Sequence, residues 1–251
     1  MNWKLALGNV WRLLLRLAGA LIVQLLLRQA GFYQWTARDS AGLNLLIGPV
    51  GEVYAVLLAF TIFVIWGQFT EVENLVIREC NSLDDLVRFA AYLGADESAA
   101  IRRAVAAYAH RVLKYEWAAL GEGRSDKQAD ELFVEILGGA VNANPATEAQ
   151  KLIHARLLEM AQQTGSYRDE RVAKSLTRMP PTLSGLVRSV AAALLLLVFA
   201  YPFQYEAIGA LCFALVSLVL FLADFVMSDT DNPIRGVWNV SPKPFAVLAA
   251  R

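Results

Sequence analysis

The chain has 251 residues, no net formal charge, 57% hydrophobic residues and 18% charged ones, with a mean hydropathy of +0.42. Soluble domains carry about a quarter charged residues, so a globular enzyme built on one large core is excluded. Zero net charge also removes the basic field that attracts nucleic acid. The charges gather in the middle of the sequence, the pattern of a polytopic membrane protein with one polar portion.

Met1 to Arg16 puts Trp3, Leu7, Val10, Trp11, Leu14 and Leu15 near one helical face, interrupted by Lys4, Arg12 and Arg16. A helix lying at the membrane interface is expected there. The two arginines and the absence of a small-residue cleavage site argue against a cleaved signal. Leu17 to Leu27 is the expected first span. Its roughly twelve apolar residues give only ~18 Å of helix against ~30 Å of hydrocarbon. It can cross if Arg12 and Arg16 snorkel or face a polar interior. Gly31 to Asn44 reads as a loop with Phe32, Tyr33 and Trp35 at the bilayer surface. Pro49 to Trp66 is the second span, with Pro49 suited to a first helical turn and Glu52 in that same turn, where the macrodipole favours a carboxylate.

From Phe69 the pattern becomes polar and amphipathic. Glu71 to Leu93 has helical spacing, Ala95 to Ser98 reads as a break, and Ala99 to Leu120 as the next helix. Further helices are expected at about 127–137 and 146–173, separated by Gly138-Gly139 and by Asn142 to Pro145. Leu183 to Ala200 and Ala207 to Met227 are the third and fourth spans, joined by the aromatic turn Tyr201 to Tyr205. The tail from Val237 reads as extended or loosely packed. The spacing therefore predicts an all-α polytopic membrane protein of four transmembrane helices with an all-helical polar portion. Its parts are 1–68 (interfacial helix and two spans), 69–180 (insert), 181–228 (two spans) and 229–251 (tail). Arg78, Arg168, Arg171, Lys174 and Arg178 flank the insert, while the short connections carry only Arg28 and Arg38. By the positive-inside rule the insert and both termini are cytoplasmic.

Several motifs then resemble one family. Gly48-Pro49-Val50-Gly51-Glu52-Val53-Tyr54 through Phe60, followed by Trp66-Gly67-Gln68-Phe69, is similar to the second span of the bacterial bestrophin-like membrane proteins. Glu79, Leu83-Asp84-Asp85-Leu86, Tyr108 and Glu116-Trp117 match the family's acidic residue, Asp-Leu patch, Tyr and Glu-Trp. Asp231-Asn232-Pro233-Ile234-Arg235-Gly236 and Ser241-Pro242-Lys243-Pro244-Phe245 resemble its ending. Ala118 stands where Pro usually follows Glu-Trp, and Ile234 where Phe is usual. The resemblance covers about 48–245. It implies the bestrophin fold, a bacterial inner membrane, and a homo-oligomer, pentameric in true bestrophins, with the second span lining an ion pore.

Tyr54, Leu58, Ile62 and Ile65 share a helical stripe with Thr61 and Phe69 adjacent. One stripe from each subunit would form an apolar neck that gates by dewetting; packing or lipid contact is the plainer reading. Glu52 at the outer mouth, with Gln68 and Glu71 at the cytoplasmic exit, would form polar rings that select ions. Each also reads as an ordinary helix-end residue. Asp224, Asp229 and Asp231 cluster at a helix C-terminus, where acids oppose the macrodipole. A hard cation such as calcium held by Asp229 and Asp231, or salt bridges to Arg78, Arg188 or Arg235, would compensate. Cys80, Cys212, His110 and His154 read as structural, and no nucleotide-loop, hydrolase or zinc-protease motif is present.

These observations imply no enzyme and no resident cofactor. The expected function is an oligomeric ion channel in a lipid bilayer, passing either an anion or a monovalent cation. The other reading is a non-conducting scaffold whose cytoplasmic helices bind a partner protein.

Overall fold

A computed structural model describes residues 29–250 continuously, together with Ala18, Gly19, Ile22, Val23 and Leu26. The expected interfacial helix at Met1 to Arg16 and the expected first span at Leu17 to Leu27 lie outside the continuously described residues. All regular structure among the described residues is helical. The helices are α1 (Phe32–Thr36), α2 (Ser40–Ala90), α3 (Ala95–Arg111), α4 (Trp117–Gly121), α5 (Lys127–Val141), α6 (Glu148–Leu176), α7 (Pro181–Ala200), α8 (Glu206–Thr230) and α9 (Lys243–Ala249). A 3-10 turn, Ala37–Asp39, precedes α2, and a π-helical turn, Val112–Glu116, joins α3 to α4. Among the described residues three stretches hold helix long and apolar enough to cross a membrane: Phe32–Ala90, Glu148–Ala200 and Glu206–Thr230.

The second span and the first polar helix are a single helix of 51 residues. Only Gly67 lies near the change from apolar to polar sequence, and one glycine costs a helix about 1 kcal/mol. The change of polarity therefore marks a change of surroundings, not of backbone. Pro49 lies inside α2, so Glu52 is not in a first turn and the macrodipole does not explain it. Apolar helices tolerate an internal proline when neighbours re-satisfy the freed carbonyl. The expected loop at Gly31 to Asn44 is mostly helical as well.

The chain divides into two compact units. The apolar unit comprises 1–66 and 179–231, and the polar unit 67–178 and 232–251, so the tail belongs with the insert. In the apolar unit α7 begins with Pro181 in its first turn, where the missing N–H costs nothing. There Tyr33 donates its hydroxyl proton to the Phe199 carbonyl at 3.0 Å.

In the polar unit, Asp126 caps α5 by accepting from the Gln128 N–H at 3.0 Å. Thr147 and Gln150 form a capping box at the start of α6. The Gly138-Gly139 pair does not end α5, which runs on to Val141. The break expected at Ala95 to Ser98 falls earlier, where Tyr92 and Leu93 donate to Phe89 and Ala90. The His154 ring sits 2.9 Å from the Ala140 carbonyl, a structural contact. The tail is neither extended nor loose. Its α9 buries Phe245 and Leu248 in a core shared with Leu83, Leu86, Ile101, Tyr108, Leu120 and Ile136. The apolar spacing of Phe245 and Leu248 on a short helix, after a proline-rich turn, explains the docking.

Candidate functional site

In the apolar unit α2 is covered on one side. Tyr54 and Ile65 are buried with Val187 of α7 and Met227 of α8, and Leu57, Leu58, Val190, Ala191, Leu194 and Leu220 pack around them. Thr61 is fully buried and donates to the Leu57 carbonyl one turn back, at 2.7 Å. Positions 54, 58, 61 and 65 recur every three or four residues, so they form one face. The remaining circumference is open. Val56 is 69% exposed, Phe63 76% and Trp66 51%, values that require lipid or another subunit to cover them. Glu52, Ala55, Ala59, Ile62 and Trp66, also at helical spacing, are all exposed.

The polar unit holds a buried charge cluster. The guanidinium of Arg171, with 0% exposure, meets Glu79 at 2.5 Å and Glu116 at 2.7 Å, both carboxylates also at 0%. Arg168 completes the set, reaching Glu116 at 2.9 Å and the half-exposed Asp130 at 2.7 Å. Tyr108 donates its hydroxyl proton to Glu79 at 2.5 Å. Burial, then the neighbouring Glu79 carboxylate, push the Tyr108 hydroxyl well above its ordinary pKa, so it remains a donor.

Three local features aim these groups inward. Thr164, Arg168, Arg171 and Ser175 continue on α6 the buried stripe begun by Leu157, Met160 and Ala161. The π-helical turn carries Glu116, and such turns re-aim a side chain by adding one residue to the ladder. Phe245 of α9 lies 5.3 Å from the Arg171 guanidinium and packs edge-on against Tyr108 and Trp117, shielding the cluster from water.

A family model, the Bestrophin-like domain, matches residues 14–245. The chain belongs to the bestrophin-like family. No curated protein matches it. Among solved structures, a crystal structure of a bacterial bestrophin homolog from Klebsiella pneumoniae carrying one point mutation has a TM-score of 0.71 at 13% identity, covering 97% of each chain. Another point mutant of that homolog gives 0.66 at 14% identity, covering 96% of this chain and 98% of that one. A third structure of it gives 0.67 at 14% identity, covering 96% and 95%. At these identities the likeness concerns the fold: a helical membrane protein of bestrophin architecture.

In this bestrophin-like chain the expected pore stripe is divided. Tyr54, Thr61 and Ile65 turn into the subunit's own interior, because α7 and α8 supply Val187 and Met227 against that face, and Leu58 packs at its edge. Ile62 lies on the open side at 36% exposure. Phe69 packs against the core of the polar unit. Glu52 is exposed and Gln68 partly buried. Glu71 makes a loose exposed pair with Lys174 at 3.4 Å.

The acids at the end of α8 are taken up by the chain itself. Asp231 accepts from the Met179 N–H at 2.7 Å, and Asp224 pairs with Arg188 at 2.7 Å. Among the described residues no three His, Cys, Asp or Glu side chains come together as a metal site. The salt-bridge reading therefore accounts for Asp224, with Arg188 as its partner.

Arg168 and Arg171 read in sequence as flanking charges that set orientation, yet both are buried ion-pair partners. The signal was present: both stand on the apolar stripe of α6, where a solvated arginine has no place. Glu116 and Tyr108 were visible as motif positions, but their common partner was not.

Proposed function

We propose that this bestrophin-like protein is an oligomeric channel for monovalent cations in the bacterial inner membrane, with α2 of each subunit lining the pore. The observation that carries this reading is the one-sided cover of α2 in the apolar unit. A helix that leaves Val56, Phe63 and Trp66 more than half exposed suits a symmetric ring of subunits, in which its open side is shared between neighbours and a central lumen. The lumen-facing residues in this reading are Glu52, Ala55, Ala59, Ile62 and Trp66. Alanines leave room, and Ile62 with Trp66 narrows the path to an apolar constriction that gates by dewetting.

Charge supports cations. From Ser40 to Ile77, α2 carries Glu52, Glu71 and Glu73 and no basic residue. A ring of Glu52 carboxylates concentrates cations and excludes anions at the mouth. Five subunits follow from the family resemblance, and the distribution of basic residues favours both termini in the cytoplasm.

The test is ion flux through purified protein in liposomes. Potassium-driven flux is expected, raised by Ile62→Ala and suppressed by Ile62→Trp. Absence of flux from folded, oligomeric protein would overturn the channel reading in favour of a membrane scaffold.

A further inference from the structure

A cavity of about 680 Å³ opens in the polar unit among the C-terminal end of α2, α3 and α9. Its walls are Val87, Ala91, Val105 and Leu248, and Tyr92 stands at its rim with 69% exposure. It takes no part in the buried charge cluster, which uses other residues of these helices. Its volume falls in the range of small-molecule sites.

Its charge is unbalanced. Asp84 and Arg88, four residues apart on α2, neutralise each other at 2.6 Å. Arg102 is the remaining ionic side chain of the lining. Its neighbour Arg103 turns back to the Ala99 carbonyl on its own helix, whereas Arg102 extends into the cavity wall. A half-open apolar pocket whose rim carries one guanidinium without an ion-pair partner among the described residues selects a monoanion with an apolar body, since a cation would be repelled and a purely polar anion would waste the walls. Guanidinium and carboxylate match in bidentate geometry.

We propose that this cavity is a binding site for small organic carboxylates. The carboxylate pairs with Arg102, and the hydrocarbon or aromatic body lies along Val87, Ala91, Val105 and Leu248 with the Tyr92 ring over it. The site is independent of ion conduction and is read without it.

The experiment is calorimetric titration of the full-length protein in detergent with sodium hexanoate, with hexylamine and sodium acetate as probes of charge and of the apolar body, against detergent alone. Saturable hexanoate binding is expected, with hexylamine and acetate at least about tenfold weaker. Arg102→Gln should weaken hexanoate by about tenfold or more, the worth of a charge-assisted hydrogen-bonded pair. Ala91→Trp, which fills the cavity from an exposed position, should abolish binding. Both positions are exposed in the chain, and the helical circular dichroism of each variant is checked against wild type before titration. No saturable binding, equal binding of hexanoate and hexylamine, or hexanoate binding unchanged in both variants would each overturn the proposal.

Discussion

Arg171 and Glu79 meet at 2.5 Å with neither side chain exposed to solvent. They come from α6 and from the polar half of α2, separated by 92 positions in sequence. Taking two charges out of water is costly, and Glu116, Tyr108 and Arg168 offset part of that cost with further hydrogen bonds, leaving Arg171 Nη1 and Arg168 Nε buried without a partner among the described residues.

Removing one member leaves the others buried without compensation. Arg171→Met should therefore destabilise the polar unit by about 3–5 kcal/mol. The matching Glu79→Gln should cost less, because its amide still accepts from Tyr108. Thermal unfolding of each purified variant, followed by circular dichroism, reads the order. Equal and small effects would mean that the cluster is not part of the cooperative fold.

The tail offers a second test. Phe245 is fully buried against Tyr108, Trp117 and the Arg171 guanidinium. Phe245→Ala should cost about 3–5 kcal/mol and expose the chain after Asn232 to limited proteolysis. A tail that stays protease-resistant in this variant would contradict its place in the core.

The Arg111–Asp126 pair predicts a pH dependence. The Arg111 hydrogen bond holds the Asp126 carboxyl below its ordinary value of 3.8, aided by the backbone N–H of Gln128. A carboxyl with a lowered folded pKa contributes stability that is present above the unfolded value and lost as pH falls through the folded one. Asp126→Asn keeps the α5 cap, since Asn caps as well as Asp, but removes the charge. The wild type should be the more stable at pH 6, with the difference vanishing as pH falls through the lowered folded value. A difference independent of pH would show that the charge is not the source.

Much of the fold was legible in the sequence because periodicity and turn chemistry act locally. The helices at 183–200 and 207–227 lie within α7 and α8, while α5 runs past the expected break at Gly138-Gly139 and ends at the second one, Asn142 to Pro145. The polarity change at Phe69 falls at the boundary between the two units, while α2 runs through it unbroken because Gly67 alone is too weak a breaker. The tail is where the pattern misled. The tail looked loose because Pro242 and Pro244 dominate its pattern, whereas Phe245 and Leu248 act through partners over a hundred residues away. At the site, the spacing put Tyr54, Leu58, Ile62 and Ile65 on one stripe with Thr61 adjacent, whereas Thr61 is buried with Tyr54 and Ile65, and Ile62 lies on the open side. Which way that face points depends on α7 and α8, and no local pattern carries that information. Arg168 and Arg171 were misplaced for the opposite reason: their charge was weighed, and their register on the α6 stripe was not.

The reversal potential under a KCl gradient across a planar bilayer is the most direct test of a cation pore lined by α2. Reversal close to the potassium equilibrium potential is expected, displaced toward zero by Glu52→Gln. Reversal close to the chloride potential would contradict the cation reading, and a silent bilayer containing intact oligomers would contradict the pore itself.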